Sequence, residues 1–339
     1  YVMFSFTRFW SIVDIRNKAF YRDIGALGWV FLFPLLTIMS FSYIFNMDST
    51  DVFKVGTYEN LTRPQIAMAK WVEFESKGDA LEKLKNFQVD MVVSFTEKTY
   101  WLPKGSPKSK AIKKLFLYEQ LPTQYQEKYI KGQDISYVQW LFPGLLALNV
   151  MFMALWGVGW VIVRQRRLGI LKRYKVSPLT AFEYIFAQMI SRLFILILSG
   201  GIVYAGSLLL HPIRMVGSYI DLIVIYVLGC LSLSSVGLIV AARMSSDEMV
   251  NGILNLLTFP MMFLSEVWFS LEGSQDWVKT LAQCMPLWHM SNGMRKIMLE
   301  GATLADLGQS LWILLITAGV FMAFGSYLFQ WNSNAASRN

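Results

Sequence analysis

Residues 138–180 read VQWLFPGLLALNVMFMALWGVGWVIVRQRRLGILKRYKVSPLT. The first part, 138–163, carries no charge. At a rise of about 1.5 Å per residue it covers roughly 39 Å as a helix, more than the ~30 Å hydrocarbon core of a bilayer. The run then stops against Arg164, Arg166 and Arg167, followed by Lys172, Arg173 and Lys175. A transmembrane helix that ends in a dense basic cluster predicts a cytoplasmic connection at that end. The connection, residues 164–182, is longer than topology alone needs. Leu168–Lys175 reads as a short amphipathic helix, and Ser177-Pro178 as the break that opens the next one.

Outward from this stretch, apolar runs recur. The chain has 339 residues, 55% hydrophobic and only 16% charged, where soluble domains carry about 25% charged residues. Uncharged or nearly uncharged runs occupy 24–46 (with Pro34 inside), 137–163, 183–210, 219–242, 249–269 and 307–331. The expected fold is an all-α polytopic membrane protein with six transmembrane helices. Residues 1–23 precede the first run; Phe6, Phe9, Trp10 and Val13 fall on one helical face and Arg8, Ser11, Lys18 and Arg22 on another. That pattern fits an amphipathic helix in the cytoplasmic membrane interface, or one packed on protein. Residues 47–136 change character: charges of both signs and short alternating runs replace long apolar ones. Strands are predicted at 52–57, 89–95 and 99–102, with helices at 77–86 and 108–118, so the segment reads as a small α/β domain. Residues 270–306 are too apolar for a free loop and too broken for a span. Trp277, Met285, Trp288 and Met290 flank Pro286, which fits outer re-entrant helices with tryptophans at headgroup level.

The basic connection after the second run, with Arg8, Arg16, Lys18 and Arg22 before the first, puts both termini inside and the 47–136 domain outside. The net charge of +8 is thereby a membrane-orientation signal rather than a sign of nucleic acid. The first residues lack the apolar core and small-residue cleavage site of a secretory leader. Cys230 and Cys284 make no disulfide framework or CxxC spacing, and His211 and His289 have no ligand cluster beside them in the sequence. No Gly-Lys pair exists, so the GxxxxGK[ST] phosphate loop of an ATPase is missing. No cofactor or metal is expected in this chain.

The candidate functional residues are polar groups at membrane depth, where they are costly. Arg192 shares a face with Gln188 and Ser199; it either lines a pathway for an anionic or zwitterionic substrate or snorkels to the inner interface. Asn255 and Thr258, with Asn251, line one face of the fifth run, and Asn149 lies in the second; each can line a conduit or bond a neighbouring helix. Glu266 lies at the outer end of the fifth run, as a gate or as a carboxylate paired with Arg295 or Lys296.

The sequence resembles the ABC-2 type permease family, in the branch with an α/β ectodomain between the first two spans. Gly169, Leu171, Arg173, Val176, Ser177 and Pro178 match its coupling segment in register. Phe263, Leu264, Ser265, Phe269, Trp277, Pro286, Leu287, Arg295 and Gly301 match a second pattern at the fifth span and the outer pieces. Ile170, Lys172, Tyr174, Glu266 and Ser270 depart from it, Glu266 standing where the family has glycine. The resemblance implies an exporter subunit of the bacterial inner membrane, paired with a second permease copy as a homodimer. Separate ATP-binding cassette subunits would bind ATP and Mg and push a coupling helix carrying Arg167, Gly169, Ile170, Leu171, Arg173, Tyr174, Ser177 and Pro178. Lipid, drug-like or other amphipathic cargo would move outward by alternating access. The alternative from another class is a membrane-embedded transferase acting on lipid-linked substrates, for which Glu266, Asp276 and His289 are the nearby residues.

Overall fold

The computed structural model describes residues 5–44, 53–59, 69–86, 88–103, 112–113, 116, 126–130, 137–210, 213–272 and 274–331. The chain forms two compact units: Tyr1–Tyr43 with Val138–Trp268 and Thr280–Asn339, and Ile44–Tyr137 with Phe269–Lys279.

The first unit is helical. It begins with α1 (Phe6–Tyr21) and α2 (Ile24–Ile44, with Pro34 inside). Four helices among the described residues are long and apolar enough to cross a membrane. These are α4 (Val138–Arg167), α6 (Ala181–Leu210), α7 (Tyr219–Arg243) and α11 (Gly308–Leu328). The short α5 (Ile170–Lys175) links α4 to α6. Helix α8 (Asp247–Leu264) has the length of a span but opens on Asp247 and Glu248 and carries Asn251 and Asn255, which dilute its hydropathy. In α2 the apolar stretch is Val30–Ser40. Six spans were expected; by length and composition the structure supports four.

Helix α4 is the most enclosed of these helices, and α11 and α6 are the most peripheral. Close approach of α4 to α7 uses two glycines. A side chain at Gly159 would meet the Gly237 carbonyl, and one at Gly237 would lie 3.0 Å from the Leu155 carbonyl. The same part of α4 leaves α-helical geometry: Leu155–Trp160 is a π-helical turn, a distortion common at functional sites. Arg166 closes the other end of α7. Its guanidinium donates to the carbonyls of Ala241 (2.8 Å), Ala242 (3.0 Å) and Met244, and to Gln330 (2.9 Å). A buried cation on the orphan carbonyls of a helix C-terminus satisfies both. Arg166 is therefore a structural cap as well as part of a basic cluster.

Helix α1 docks on α6. Phe9, Ile12 and Val13 pack with Ala187, Leu179 and Ile190, while Phe6 and Trp10 stay exposed. Two polar clasps reinforce this. Ser191 donates to Asn17 at 2.6 Å, and the buried Glu183 accepts from Ser5 N–H (2.7 Å) and Arg8 (2.9 Å). Glu183 also accepts from Thr180 N–H (2.8 Å), and its own N–H reaches the Thr180 hydroxyl (3.1 Å). This is a capping box, so α6 starts at Thr180 rather than at the Ser-Pro break.

The second unit holds a five-stranded sheet of β1 (Phe53–Thr57), β2 (Ala69–Glu73), β3 (Met91–Ser94), β4 (Thr99–Pro103) and β5 (Gln126–Ile130), ordered β2-β1-β3-β4-β5. Only the β3–β4 pairing is antiparallel. Alternation divides its core: Val55, Met91, Val93, Tyr100 and Leu102 face Ile112 and Phe116, while Val72, Val92 and Trp101 face Ala80 and Leu84 of α3 (Lys77–Lys85). The two edge strands, β2 and β5, were not predicted. The predicted helix at 108–118 lies mostly outside the described residues. Glu59 caps the β3–β4 turn, accepting from the Ser94 hydroxyl and the N–H groups of Phe95 (2.8 Å) and Thr96 (3.1 Å). Residues 269–279 belong to this unit; Glu272 pairs with Lys83 at 3.0 Å, and Lys54 donates to the Ser270 carbonyl at 3.1 Å.

Beyond α8 the chain forms α9 (Asp276–Gln283) and α10 (Pro286–Arg295), the latter continuing into a π-helical turn, Lys296–Glu300.

Candidate functional site

The first unit contains a cavity of about 840 Å³ walled by α1, α2, α4, α6, Asn251 of α8 and the start of the α4–α6 connection. Its walls combine aromatic rings (Phe20, Phe33, Phe152, Trp156, Trp160) with polar groups (Asn149, Gln165, Gln188, Ser191, Asn251) and the cations Arg16, Arg164 and Arg192. A largely apolar chamber with a few converging polar groups is the usual form of a small-molecule site.

Several walls are pinned. Asn149 donates to the Val30 carbonyl at 3.0 Å, fixing α4 to α2. The Trp156 indole donates to Asn251 at 3.1 Å, fixing the π-helical turn to α8. Arg164 lies over the Trp160 ring, 4.8 Å from its centroid. Arg192 crosses to α4, where its guanidinium occupies the place a side chain on Gly157 would take; a Cβ there would lie 1.2 Å from Nη2. Glycine in the π-helical turn is thus what admits the arginine. The Nε of Arg16 is buried with no hydrogen-bond partner, and burial pulls this guanidinium below its ordinary pKa.

Of the pathway candidates, Asn149 and Arg192 line this cavity, and Asn255, Thr258 and Glu266 do not. Asn255 is exposed on α8 beside Leu256, Phe259 and Phe263, and Thr258 is buried. Ser199 bonds its own helix, donating to the Leu196 carbonyl. Glu266 sits just past α8 with φ of 53°, 3.7 Å from Arg295 through its carboxylate. His289 is buried between the Gln283 carbonyl at Nε2 (2.7 Å) and the Ser310 hydroxyl at Nδ1 (3.0 Å). Because a carbonyl only accepts, Nε2 carries the proton. Burial holds this histidine below its ordinary pKa, against the Gln283 carbonyl, which favours the charged form.

The coupling candidates separate into anchors and surface. Leu171 is fully buried and Tyr174 packs on Tyr184 of α6 at 5.8 Å, so both hold α5 in place. Arg167 pairs with Asp247 at the start of α8 at 2.6 Å. Gly169 has φ of 73°, a left-handed turn between α4 and α5. Arg173, Ser177 and Pro178 are exposed with Lys172, Lys175 and Val176, forming a basic surface. Ile170 faces inward, and with Leu168 it forms part of the cavity wall. Sequence reasoning missed Arg16, Gly157 and Glu183 as working residues. Only Glu183 carried a local signal, the Thr180-x-x-Glu183 capping pattern.

Two curated relatives bear the same description, "Probable multidrug ABC transporter permease YbhR", from Escherichia coli strain K12 and Escherichia coli O157:H7. Each is 22% identical to this chain over 214 residues. The match spans 58% of this chain and 58% of each relative, under two thirds of their length. A family profile described as "ABC-2 family transporter protein" matches residues 25–327, and the chain belongs to that family.

Proposed function

We propose that the chain is the membrane-spanning permease subunit of an ATP-binding cassette exporter, moving a lipid, drug-like or other amphipathic substrate outward. The observation that carries this reading is the double role of the α4–α6 connection. Leu168 and Ile170 wall the cavity, while Lys172, Arg173, Lys175 and Val176 beside them present an exposed surface. A partner that displaces α5 therefore moves the cavity wall directly. That partner is a separate ATPase subunit, which binds ATP and Mg. In the bacterial inner membrane, α2 and α8 would add a fifth and sixth span, with both termini cytoplasmic and the sheet unit outside. Pairing with a second copy is supported by α8, where Asn255 lies on an exposed apolar face with Leu256, Phe259 and Phe263. A helix contact would satisfy an amide that lipid cannot. Alternating access at that dimer interface would carry the substrate across.

The transferase alternative is disfavoured because two of its residues are otherwise engaged: Glu266 faces Arg295, and His289 is enclosed by Gln283 and Ser310. The test is purification of the full chain from its native membrane. A bound Walker-type ATPase, whose turnover responds to the chain, is the expected result. An isolated chain with no effect on ATP turnover would overturn the reading.

A further inference from the structure

The cavity has a charge asymmetry that the permease reading does not use. Its cations come from three separate elements: Arg16 from α1, Arg164 from α4 and Arg192 from α6. Arg164 is stacked on Trp160 at the exposed end. Arg16 and Arg192 lie deeper, each other's charged neighbour, and among the described residues neither forms an ion pair. Asp23, the carboxylate on the wall, has interactions of its own and is not a free charge. Two half-buried guanidinium groups that line one cavity and repel one another, with no ion pair to either among the described residues, are unfavourable unless a ligand supplies an anion. The fold nevertheless holds them there. Gly157 opens the seat for Arg192, and the Asn17–Ser191 bond clamps α1 beside Arg16. Phe33, Phe152 and Trp156 line the same cavity and give it an apolar surface suited to a hydrocarbon chain.

We propose that this cavity binds an amphiphile with an anionic head (phosphate, sulfate or carboxylate), the head held between Arg16 and Arg192 and the chain against Phe33, Phe152 and Trp156. The proposal rests on the permease reading for its role as cargo. The binding chemistry stands on the cavity alone. A guanidinium pair offers paired N–H donors and positive charge to an oxyanion; a cationic head would be repelled, and a neutral head would accept the hydrogen bonds without balancing the charge.

The test is calorimetric titration of the full chain in maltoside micelles. The probes are dodecyl phosphate, dodecyltrimethylammonium and inorganic phosphate. Saturable binding of dodecyl phosphate is expected. Arg16→Gln and Arg192→Gln should each weaken it roughly tenfold or more, and Arg192→Lys, which keeps the charge but loses the paired N–H donors, should weaken it less than Arg192→Gln does. Dodecyltrimethylammonium should not bind saturably. Competition by inorganic phosphate would place the free anion among the ligands, and its absence would assign the site to the amphiphile. Equal binding in the wild type and both glutamine variants, with their thermal melts unchanged, would overturn the proposal. So would tighter binding of the cationic probe. ATPase co-purification on the same preparation separates the two readings. Arginine-dependent binding without an ATPase would sink only the permease assignment. An ATPase partner with arginine-independent binding would sink only the anion site.

Discussion

Arg295 grips Glu266 by its backbone. Its Nη2 donates to the Glu266 carbonyl and its Nε to the Trp140 carbonyl (3.2 Å), with the guanidinium 4.0 Å from the Trp140 ring centroid. The Glu266 carboxylate stands farther off, at 3.7 Å. What this position requires is its backbone conformation, a positive φ of 53°. The family pattern that the sequence resembles has glycine at this position, which is the residue that a left-handed turn favours. The sequence left Glu266 as either a gate or a carboxylate paired with Arg295 or Lys296; in the structure it faces Arg295 from a turn of positive φ, held by that buried arginine.

Glu266→Gly should therefore leave thermal stability unchanged or raise it by up to about 1 kcal/mol, since the strain relieved outweighs a long ion pair. Glu266→Val should lower it by about 1–2 kcal/mol, because a β-branched residue resists the left-handed region. Melting of the purified variants decides the matter. Equal tolerance of valine and glycine would show that the turn is not strained.

Glu183 ties the N-terminal helix to the start of α6. Removing its carboxylate takes the acceptor from the Ser5 and Thr180 N–H groups and breaks the ion pair with Arg8 at once. Each orphaned buried donor costs about 1–3 kcal/mol. In Glu183→Ala, α1 should release from α6, and trypsin should cut at Arg8 and Arg16 faster than in the wild type. Thr180→Ala, which loses only the hydroxyl half of the box, should show a smaller effect. An unchanged cleavage pattern in Glu183→Ala would mean that Phe9, Ile12 and Val13 alone hold the helix.

The apolar spans and the basic connection were legible because lipid imposes long uncharged runs and a charge rule at their ends. The edge strands were not. Ala69–Glu73 and Gln126–Ile130 each pair on one side only, so they keep charged residues such as Lys70, Glu127 and Lys128 and lose the alternation that marks a central strand. The cavity was half legible. Arg192 and Asn149 stood out as polar residues in apolar runs. Arg16 looked like one more basic residue on an amphipathic helix, since nothing local says which helix it will face. Gly157 gave no signal, because its meaning depends on an arginine 35 positions away.

Acid should weaken the sheet-bearing unit. Burial raises the Glu59 carboxyl, but the Ser94 hydroxyl and the N–H groups of Thr96 and Phe95 outweigh it and leave the group below its ordinary value of 4.5. Glu272 is likewise raised by burial and then held below the ordinary value by Lys83, with Lys279 and Lys54. A carboxylate depressed in the folded state contributes stability above its unfolded pKa and loses it as pH falls through the folded one. Melting curves between pH 7 and pH 3 should show stability declining below about pH 4.5, the ordinary carboxylate value. Glu59→Gln should flatten part of that decline. A slope identical to the wild type would remove Glu59 from the explanation.

Coupling through α5 should depend on geometry at Gly169 and on chemistry at the exposed residues. Gly169 has open space around it and a φ of 73°, so Gly169→Val meets no clash but costs about 1–2 kcal/mol of backbone strain. The α5 orientation should shift, and stimulation of the partner ATPase should fall while membrane insertion persists. Leu171→Glu buries a charge and should destabilise the chain itself, so it is a poor probe of docking. Lys172→Glu with Lys175→Glu reverses the exposed surface without touching the core and should abolish ATPase binding. Retained pull-down of the ATPase by that double variant would place the docking surface elsewhere.

Gly157 offers the most selective test of the cavity. An alanine methyl there would fall on the Arg192 guanidinium, which must then swing away. The displaced group is the far end of a flexible side chain, so the fold should tolerate the change at a cost within about 1 kcal/mol, mostly from losing the packed guanidinium. Gly157→Ala should therefore keep the wild-type melt yet lose dodecyl phosphate binding nearly as far as Arg192→Gln does. Adding Gly157→Ala to Arg192→Gln should cost little more, because both act on one group and their effects cannot add. Full additivity would mean that Gly157 shapes the cavity independently of Arg192, and the seat described for the arginine would not be its role.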